Sequence, residues 1–179
     1  PKRYYCHGWI INAEDTLMDF SELSHQTEIR DSLDKILSEH CSQERLKEYD
    51  ANYKHDESLL SLLSTNGFLG LGLNEKYGGS GEDLYDLGIL FERLGYHAAP
   101  LSLSGCLADV AQTIQKFSKE ESCNKILSSI IAGEIYTSAI LEPSNQDPEN
   151  PITTATIENN QVVISGTKYL SEITSIAKS

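Results

Sequence analysis

The sequence predicts a mainly α-helical fold followed by part of a β domain. Apolar side chains recur every three to four residues up to Gly133, as in amphipathic helices. Beyond Gly133, short runs rich in threonine and valine replace that spacing, which favours strands. Met18 is the only methionine and opens a stretch typical of a natural start, so we expect residues 1–17 to be an extension that is non-native or disordered. The rest of the chain divides into a helical bundle over 18–133 and the first strands of an incomplete β domain over 134–179.

The composition excludes several classes of protein. The 179 residues include 27 acidic and 14 basic side chains, a net charge of −13, so a nucleic-acid partner is not expected. No apolar run reaches the roughly 18 residues of a membrane span, and we expect a soluble, intracellular protein. Four scattered cysteines favour free thiols over disulfides. No two histidines are spaced i, i+4, so no metal site is expected.

Three helices are predicted in the first part of the bundle. An apolar stripe ending at Leu37 predicts the first, and residues 43–52 the second. Asp56 is a candidate N-cap for the third, because its carboxylate can accept a hydrogen bond from a first-turn amide. Asn66-Gly67 should end that helix, since both residues accept a left-handed conformation.

A glycine-rich loop follows. Six of the twelve glycines lie between Gly67 and Gly81. The stretch lacks the Gly-Lys-Ser/Thr of a phosphate-binding loop and follows no strand, so we predict a structural connection between helices. Glu75 and Lys76 are expected to be solvated loop charges.

The next helix is predicted from Asp83, its candidate N-cap, to Gly95. Glu92 and Arg93 fall on its polar face, where pairing with residues three or four positions away on the same helix is expected.

Two further helices complete the bundle. Pro100 suits the first turn of one of them. Ser118 and Glu121 match a capping box that opens the last helix, and Gly133 closes it.

The remaining sequence favours strands. Residues 135–141 form an apolar run of strand length, and Glu142-Pro143 should end it, because proline removes a ladder donor. Loops behind strand ends often carry binding groups, although a plain strand terminus explains Glu142-Pro143 equally well. Residues 153–157 and 162–164 predict a hairpin around an Asn-Asn turn. Another strand is expected from Gly166.

No Ser/His/Asp set, carboxylate pair or Cys/His pair points to a catalytic residue. The ordered motifs, however, resemble the acyl-CoA dehydrogenase family over about 160 residues. The resemblance is carried by Gly67-Phe68-Leu69-Gly70-Leu71, Tyr77-Gly78-Gly79-Ser80-Gly81, Phe91-Glu92-Arg93-Leu94-Gly95, Ala99-Pro100-Leu101, Ile131-Ala132-Gly133-Glu134, Leu141-Glu142-Pro143 and Gly166-Thr167-Lys168.

The resemblance implies an N-terminal helical domain, a middle β-barrel-like domain and a C-terminal four-helix domain. It implies FAD as cofactor and an acyl-CoA thioester as substrate, which is desaturated between Cα and Cβ with hydride transfer to the flavin. The general base normally comes from the C-terminal domain, so no catalytic residue is assigned in this chain, which alone should be inactive. The implied electron acceptor is electron-transfer flavoprotein or a similar protein. The implied assembly is a homo- or hetero-oligomer, and the implied compartment is the cytoplasm or the mitochondrial matrix.

The resemblance also implies flavin-binding positions. Ile140 and Leu141 stand where the middle-domain strand meets the flavin, and Leu141 replaces the usual threonine. Asp147 stands where the family has a serine, and Leu170 and Glu172 replace an aromatic residue and a threonine. Because hydroxyls are missing, the alternative is a non-catalytic partner subunit or pseudoenzyme of a heteromeric acyl-CoA dehydrogenase.

Overall fold

A computed structural model describes residues 3–6, 9–12, 21–52, 55–81, 83–145, 147–159, 161–169 and 177. The predicted mainly helical fold with a partial β segment is confirmed. The described residues form six α-helices: α1 Ser24–His40, α2 Gln43–Asn52, α3 Glu57–Thr65, α4 Leu84–Tyr96, α5 Gln112–Phe117 and α6 Glu120–Ile131. None of the helices within these ranges is both long and apolar enough to cross a membrane.

Two antiparallel strand pairs accompany the helices. β1 Arg3–Cys6 pairs with β2 Trp9–Asn12 inside the predicted extension, the rest of which lies outside the described residues. β3 Thr154–Glu158 pairs with β4 Gln161–Ser165 in a register that sets Glu158 opposite Gln161. This confirms the hairpin predicted around the Asn-Asn turn, where Asn159 has a φ of 49°.

The core lies among the helices and the glycine-rich loop. Its fully buried leucines come from α1, α3, α4, α6, the loop between α3 and α4 and the stretch before α5: Leu33, Leu37, Leu59, Leu63, Leu69, Leu73, Leu90, Leu103, Leu107 and Leu127. Helix α2, whose sequence offers few apolar positions, buries no residue. Packing of the amphipathic faces therefore holds the bundle together.

Asp56 is the N-cap of α3, as predicted. Its carboxylate accepts a hydrogen bond from the Leu59 amide at 3.0 Å and is fully buried. Arg45 on α2 donates to the same carboxylate at 2.8 Å. Burial by itself would raise the pKa of Asp56, but hydrogen bonds from Ser58, Leu59 and Arg45 bring it below the ordinary value.

The glycine-rich loop is a structural connection, in agreement with the prediction. It contains two 3₁₀ turns, Phe68–Gly70 and Glu75–Tyr77, with Glu75 and Lys76 exposed. A Cβ on Gly79 would lie 2.1 Å from the Leu73 carbonyl oxygen, so only glycine fits there.

The prediction that Glu92 and Arg93 pair along their own helix is wrong for their main partners. The Arg93 guanidinium contacts the Asp34 carboxylate on α1 at 2.6 Å, and His97 reaches the same oxygen at 2.9 Å. Glu92 accepts a hydrogen bond from Arg30, also on α1, at 2.6 Å. Helix packing brings α1 close enough to supply these partners, which spacing along α4 could not reveal.

Helix α4 ends one residue after the predicted Gly95. Its left-handed residue is Ala98, with a φ of 50°. The Ala99 amide donates to Leu94 and the Ala98 amide to Gly95, as in a Schellman turn. Those two backbone hydrogen bonds offset the roughly 1–2 kcal/mol cost of a left-handed alanine. At Gly133, whose φ is 97°, the prediction of a glycine stop is confirmed.

The predicted capping box at Ser118 is wrong. The Ser118 amide donates to the Ile114 carbonyl and thereby ends α5. Helix α6 consequently begins one residue later, with Lys119 as its N-cap and without a side-chain cap. Pro100 likewise precedes the helical residues, which start at Ser104 and form a π-helical segment, Gly105–Ala111, ahead of α5.

The run 135–141 is not a strand, and neither is 166–169. A strand needs a continuous ladder of partners, and the pairing here is sparse. Within the described residues, it consists of an isolated bridge between Glu142 and Asn145 and one hydrogen bond from the Tyr169 amide to the Leu141 carbonyl. The two segments therefore lie side by side without forming a sheet.

Candidate cofactor-binding edge

The segment 140–142 is held in place by the buried carboxylate of Glu142, which is 3% exposed. The amides of Ile152 and Thr153 donate to this carboxylate at 2.6 and 2.8 Å. Lys168 completes the set with its ammonium 2.9 Å from Oε1. One carboxylate therefore joins three stretches of chain. We call these three stretches, residues 140–142, 152–153 and 166–169, the cofactor edge.

The charge of Glu142 is strongly stabilised. The Thr153 side chain, the Ile152 and Thr153 amides and the Lys168 ammonium hold the pKa of Glu142 at about 2, against an ordinary 4.5. The Thr153 hydroxyl lies close to the carboxylate but falls short of hydrogen-bond geometry. Glu142 is therefore an anion at neutral pH and acts as a structural anchor, with no proton to exchange in catalysis.

Lys168 makes a second contact within the cofactor edge. Its ammonium also donates to the Ile140 carbonyl oxygen at 3.0 Å. Gly166 allows its backbone to pass close to Thr153, because a Cβ on residue 166 would lie 2.2 Å from Thr153 Oγ1 and 2.8 Å from Thr153 Cα. The Gly-Thr-Lys sequence thus combines a residue without a side chain with a cation two positions later.

Two of the predicted flavin-binding positions have backbone amides without a partner among the described residues. The carbonyls of Ile140 and Leu141 are occupied by Lys168 and Tyr169. The structure gives no hydrogen bond from either the Ile140 or the Leu141 amide to another described residue. The Ile140 side chain is half-exposed.

Asp147 lies in the exposed loop behind Pro143. Its carboxylate accepts hydrogen bonds from the Asn150 side chain at 2.8 Å and the Glu149 amide at 3.0 Å. Those two contacts, the side-chain one foremost, lower the pKa of Asp147. The carboxylate therefore orders its own loop. Leu170 and Glu172, the other two predicted flavin-binding residues, lie outside the described residues.

Two cavities lie along this part of the chain. One of about 240 Å³ opens beside the cofactor edge, between 142–144, 152–153 and 166–167. The other, about 490 Å³, lies where α3 meets the segment after α6, and is lined by His55 and by 132–135. Burial lowers the pKa of His55. The smaller cavity thus leaves space beside Glu142, Thr153 and Gly166.

The pairing of Glu142 with Lys168 was missed from the sequence, although both residues were singled out within motifs. The available signal is an acid directly before a proline and a lysine two positions after a glycine. Nothing in a separation of 26 residues indicates that two such charges meet; the hairpin between them decides it.

Residues 24–134 match the N-terminal domain of acyl-CoA dehydrogenases. This chain belongs to the acyl-CoA dehydrogenase family. The match covers more than half of the chain and includes the glycine-rich loop and helices α1 to α6. The resemblance predicted from the ordered motifs is confirmed.

Individual proteins similar to this chain support the same family membership. The acyl-CoA dehydrogenase FadE12 of Mycobacterium tuberculosis is 29% identical over 119 residues, which are 65% of this chain and 31% of FadE12. A variant of the Tcur3481-Tcur3483 steroid ACAD is 29% identical, with a TM-score of 0.77 over 86% of this chain and 42% of that one. An acyl-CoA dehydrogenase from Bacillus anthracis, solved with FAD, shares the fold at 24% identity, with a TM-score of 0.74 over 90% of this chain and 28% of that one. The chain spans less than half the length of each.

Proposed function

We propose that the full-length protein is a flavin-dependent acyl-CoA dehydrogenase that desaturates an acyl-CoA thioester between Cα and Cβ. The observation that carries the proposal is the match of residues 24–134 to the N-terminal domain of that family. A base outside this chain would take the Cα proton, so the described part of the protein is expected to be inactive alone.

FAD would accept the hydride from Cβ and pass the electrons on. We propose that the amides of Ile140 and Leu141 bind it, with Asp147, Leu170 and Glu172 as further neighbours. The amides are supported by their lack of a partner among the described residues. Glu142 and Lys168 would position those amides by fixing the backbone on both sides, and the aliphatic side chain of Leu141 would exclude water.

The proposal extends to the partners. Electron-transfer flavoprotein or a similar acceptor would reoxidise the protein, which would act as a homo- or hetero-oligomer in the cytoplasm or the mitochondrial matrix.

A purified full-length protein tests the cofactor and the reaction together. We expect it to be yellow, or to become so when FAD is added, and the visible flavin absorbance should bleach when an acyl-CoA substrate is added without an acceptor. A panel of short-chain, long-chain and steroid acyl-CoA thioesters would find the substrate class. A protein that stays colourless with excess FAD would rule out the proposal.

The alternative is a non-catalytic subunit of a heteromeric acyl-CoA dehydrogenase. Leu141 favours it, because it lacks the hydroxyl that many members place beside the flavin. In that case the protein would co-purify with a second dehydrogenase chain, and bleaching would require that chain. Bleaching by the homogeneous protein alone would exclude this alternative.

A further inference from the structure

We propose that His25, Asp83 and Asp86 form a binding site for a divalent transition metal such as Zn²⁺. One nitrogen or oxygen atom from each of the three side chains lies within 4.8 Å of the other two. Small movements of the side chains would bring all three atoms within bonding distance of one ion. No part of the proposed dehydrogenase reaction uses these residues.

The site is built from the first turns of two helices. His25 is the second residue of α1, Asp83 is the N-cap of α4, and Asp86 lies three residues further along. His25 near the start of α1 contacts Asp86 near the start of α4, and Asp34 in the second half of α1 contacts His97 directly after α4. Helices α1 and α4 therefore run in the same direction, which brings both first turns to one end of the bundle.

The burial of Asp86 is a second observation in favour of a bound ion, independent of the spacing of the three side chains. Its side chain is 10% exposed, and its Oδ1 is buried without a hydrogen-bond partner. The nearest described cation-forming group is His25 Nε2, at 3.4 Å and outside hydrogen-bond alignment. A buried carboxylate oxygen without a partner is costly. A metal ion shared with His25 would satisfy it.

The donor set selects the class of metal. One imidazole and two carboxylates suit Zn²⁺ and similar first-row ions, whereas Mg²⁺ and Ca²⁺ prefer oxygen ligands alone. His25 and Asp83 are exposed, so water can fill the remaining positions. Asp83 already accepts the Tyr85 amide through one oxygen, which leaves the other for the ion.

The affinity should be modest. The N-termini of α1 and α4 carry partial positive charge, which opposes a cation and is offset by the two carboxylates. We therefore expect weaker binding than in a closed structural site with four protein ligands. An ion held here would link α1 to α4 in the folded protein only, and would raise its melting temperature.

Titration of the full-length protein with Zn²⁺, followed by calorimetry and thermal melts, tests the site. His25→Ala and Asp86→Asn should each weaken Zn²⁺ binding by about tenfold or more. Each should also abolish the rise in melting temperature. Glu28→Gln is the matched control: it removes one charge from an exposed position on α1, outside the ligand set, and should leave binding unchanged.

Asp86→Asn could also destabilise the fold, so metal-free melts of each variant are measured first. His25→Ala removes the imidazole that faces the buried Asp86 carboxylate at 3.4 Å, so the effect of Zn²⁺ on each variant is compared with the metal-free melting temperature of that same variant. Equal Zn²⁺ affinity in the parent and His25→Ala would overturn the proposal. So would Mg²⁺ binding as tight as that of Zn²⁺, which would indicate general attraction to a chain of charge −13.

Discussion

At the scale of single residues, the Glu142 carboxylate joins three separate stretches of the chain after Gly133. Three donors from two stretches of chain converge on one carboxylate with almost no solvent access. Such an arrangement favours the ionised form, because both backbone amides and the lysine ammonium interact better with an anion than with a neutral acid. The backbone at Ile140 and Leu141 is fixed as a consequence.

Glu142 should make stability depend on acid pH. Its folded pKa of about 2 is below the ordinary 4.5, so the unfolded chain binds more protons between those values. Its contribution to stability is present above about 4.5 and is lost as the pH falls towards 2. Glu142→Gln should lower the denaturation midpoint at pH 7 and flatten its change between pH 5 and 3. Glu149→Gln, which removes an exposed acid from the adjoining loop, should do neither.

At the scale of elements, the glycine-rich loop shows where backbone freedom is required. Gly67, Gly72, Gly78 and Gly81 have positive φ, while Gly79 is needed for space. The loop buries Phe68, Leu69, Leu71, Leu73 and Tyr77 between the helices. It therefore works as part of the core as well as a connection.

Gly79→Ala should destabilise the protein by about 1–3 kcal/mol, because its Cβ would overlap the Leu73 carbonyl. Gly88→Ala is the matched control, since Gly88 is exposed on α4 with nothing near its Cβ. That change should stabilise the helix by about 0.5–1 kcal/mol. Chemical denaturation measures both, and equal effects would contradict the steric explanation.

Helices α1 and α4 should depend on Arg93, which is 8% exposed. Arg93→Ala removes one hydrogen bond and one further ion-pair contact to the Asp34 carboxylate and leaves it with His97, so we expect a loss of about 1.5–3 kcal/mol. Lys35→Ala, at an exposed position beside Asp34, should change stability by less than about 0.5 kcal/mol. A double-mutant cycle with Asp34→Asn would show whether the loss comes from this pair.

At the scale of the whole molecule, the helical bundle and the cofactor edge differ in how they are completed. The bundle encloses its own leucine core, whereas both strands of the β3–β4 hairpin are exposed along their full length. Ile157 and Ile164 are 81% and 70% exposed. The part of the chain that adjoins the proposed flavin site thus presents apolar surface that the described residues do not cover.

Leu141→Thr in the full-length protein tests the cofactor edge and rests on the proposed function. A threonine hydroxyl would add a hydrogen-bonding group beside the flavin, worth about 0.5–1.5 kcal/mol, or about 2- to 12-fold in FAD affinity. Ile157→Thr makes a similar change on the exposed hairpin and should leave FAD affinity unchanged. FAD titration followed by absorbance is the measurement. Unchanged affinity in both variants would remove Leu141 from the site.

Local chemistry in the sequence was enough to predict α2, the Asp56 cap, the glycine stops at Gly67 and Gly133, and the β3–β4 hairpin. Each depends on residues within one or two turns of the chain, so spacing and residue type determine them. Only tertiary structure decided the partners of Arg93, the meeting of Glu142 with Lys168, and the grouping of His25 with Asp83 and Asp86. Those contacts join residues far apart in sequence, and their geometry exists only once helices and hairpin have packed.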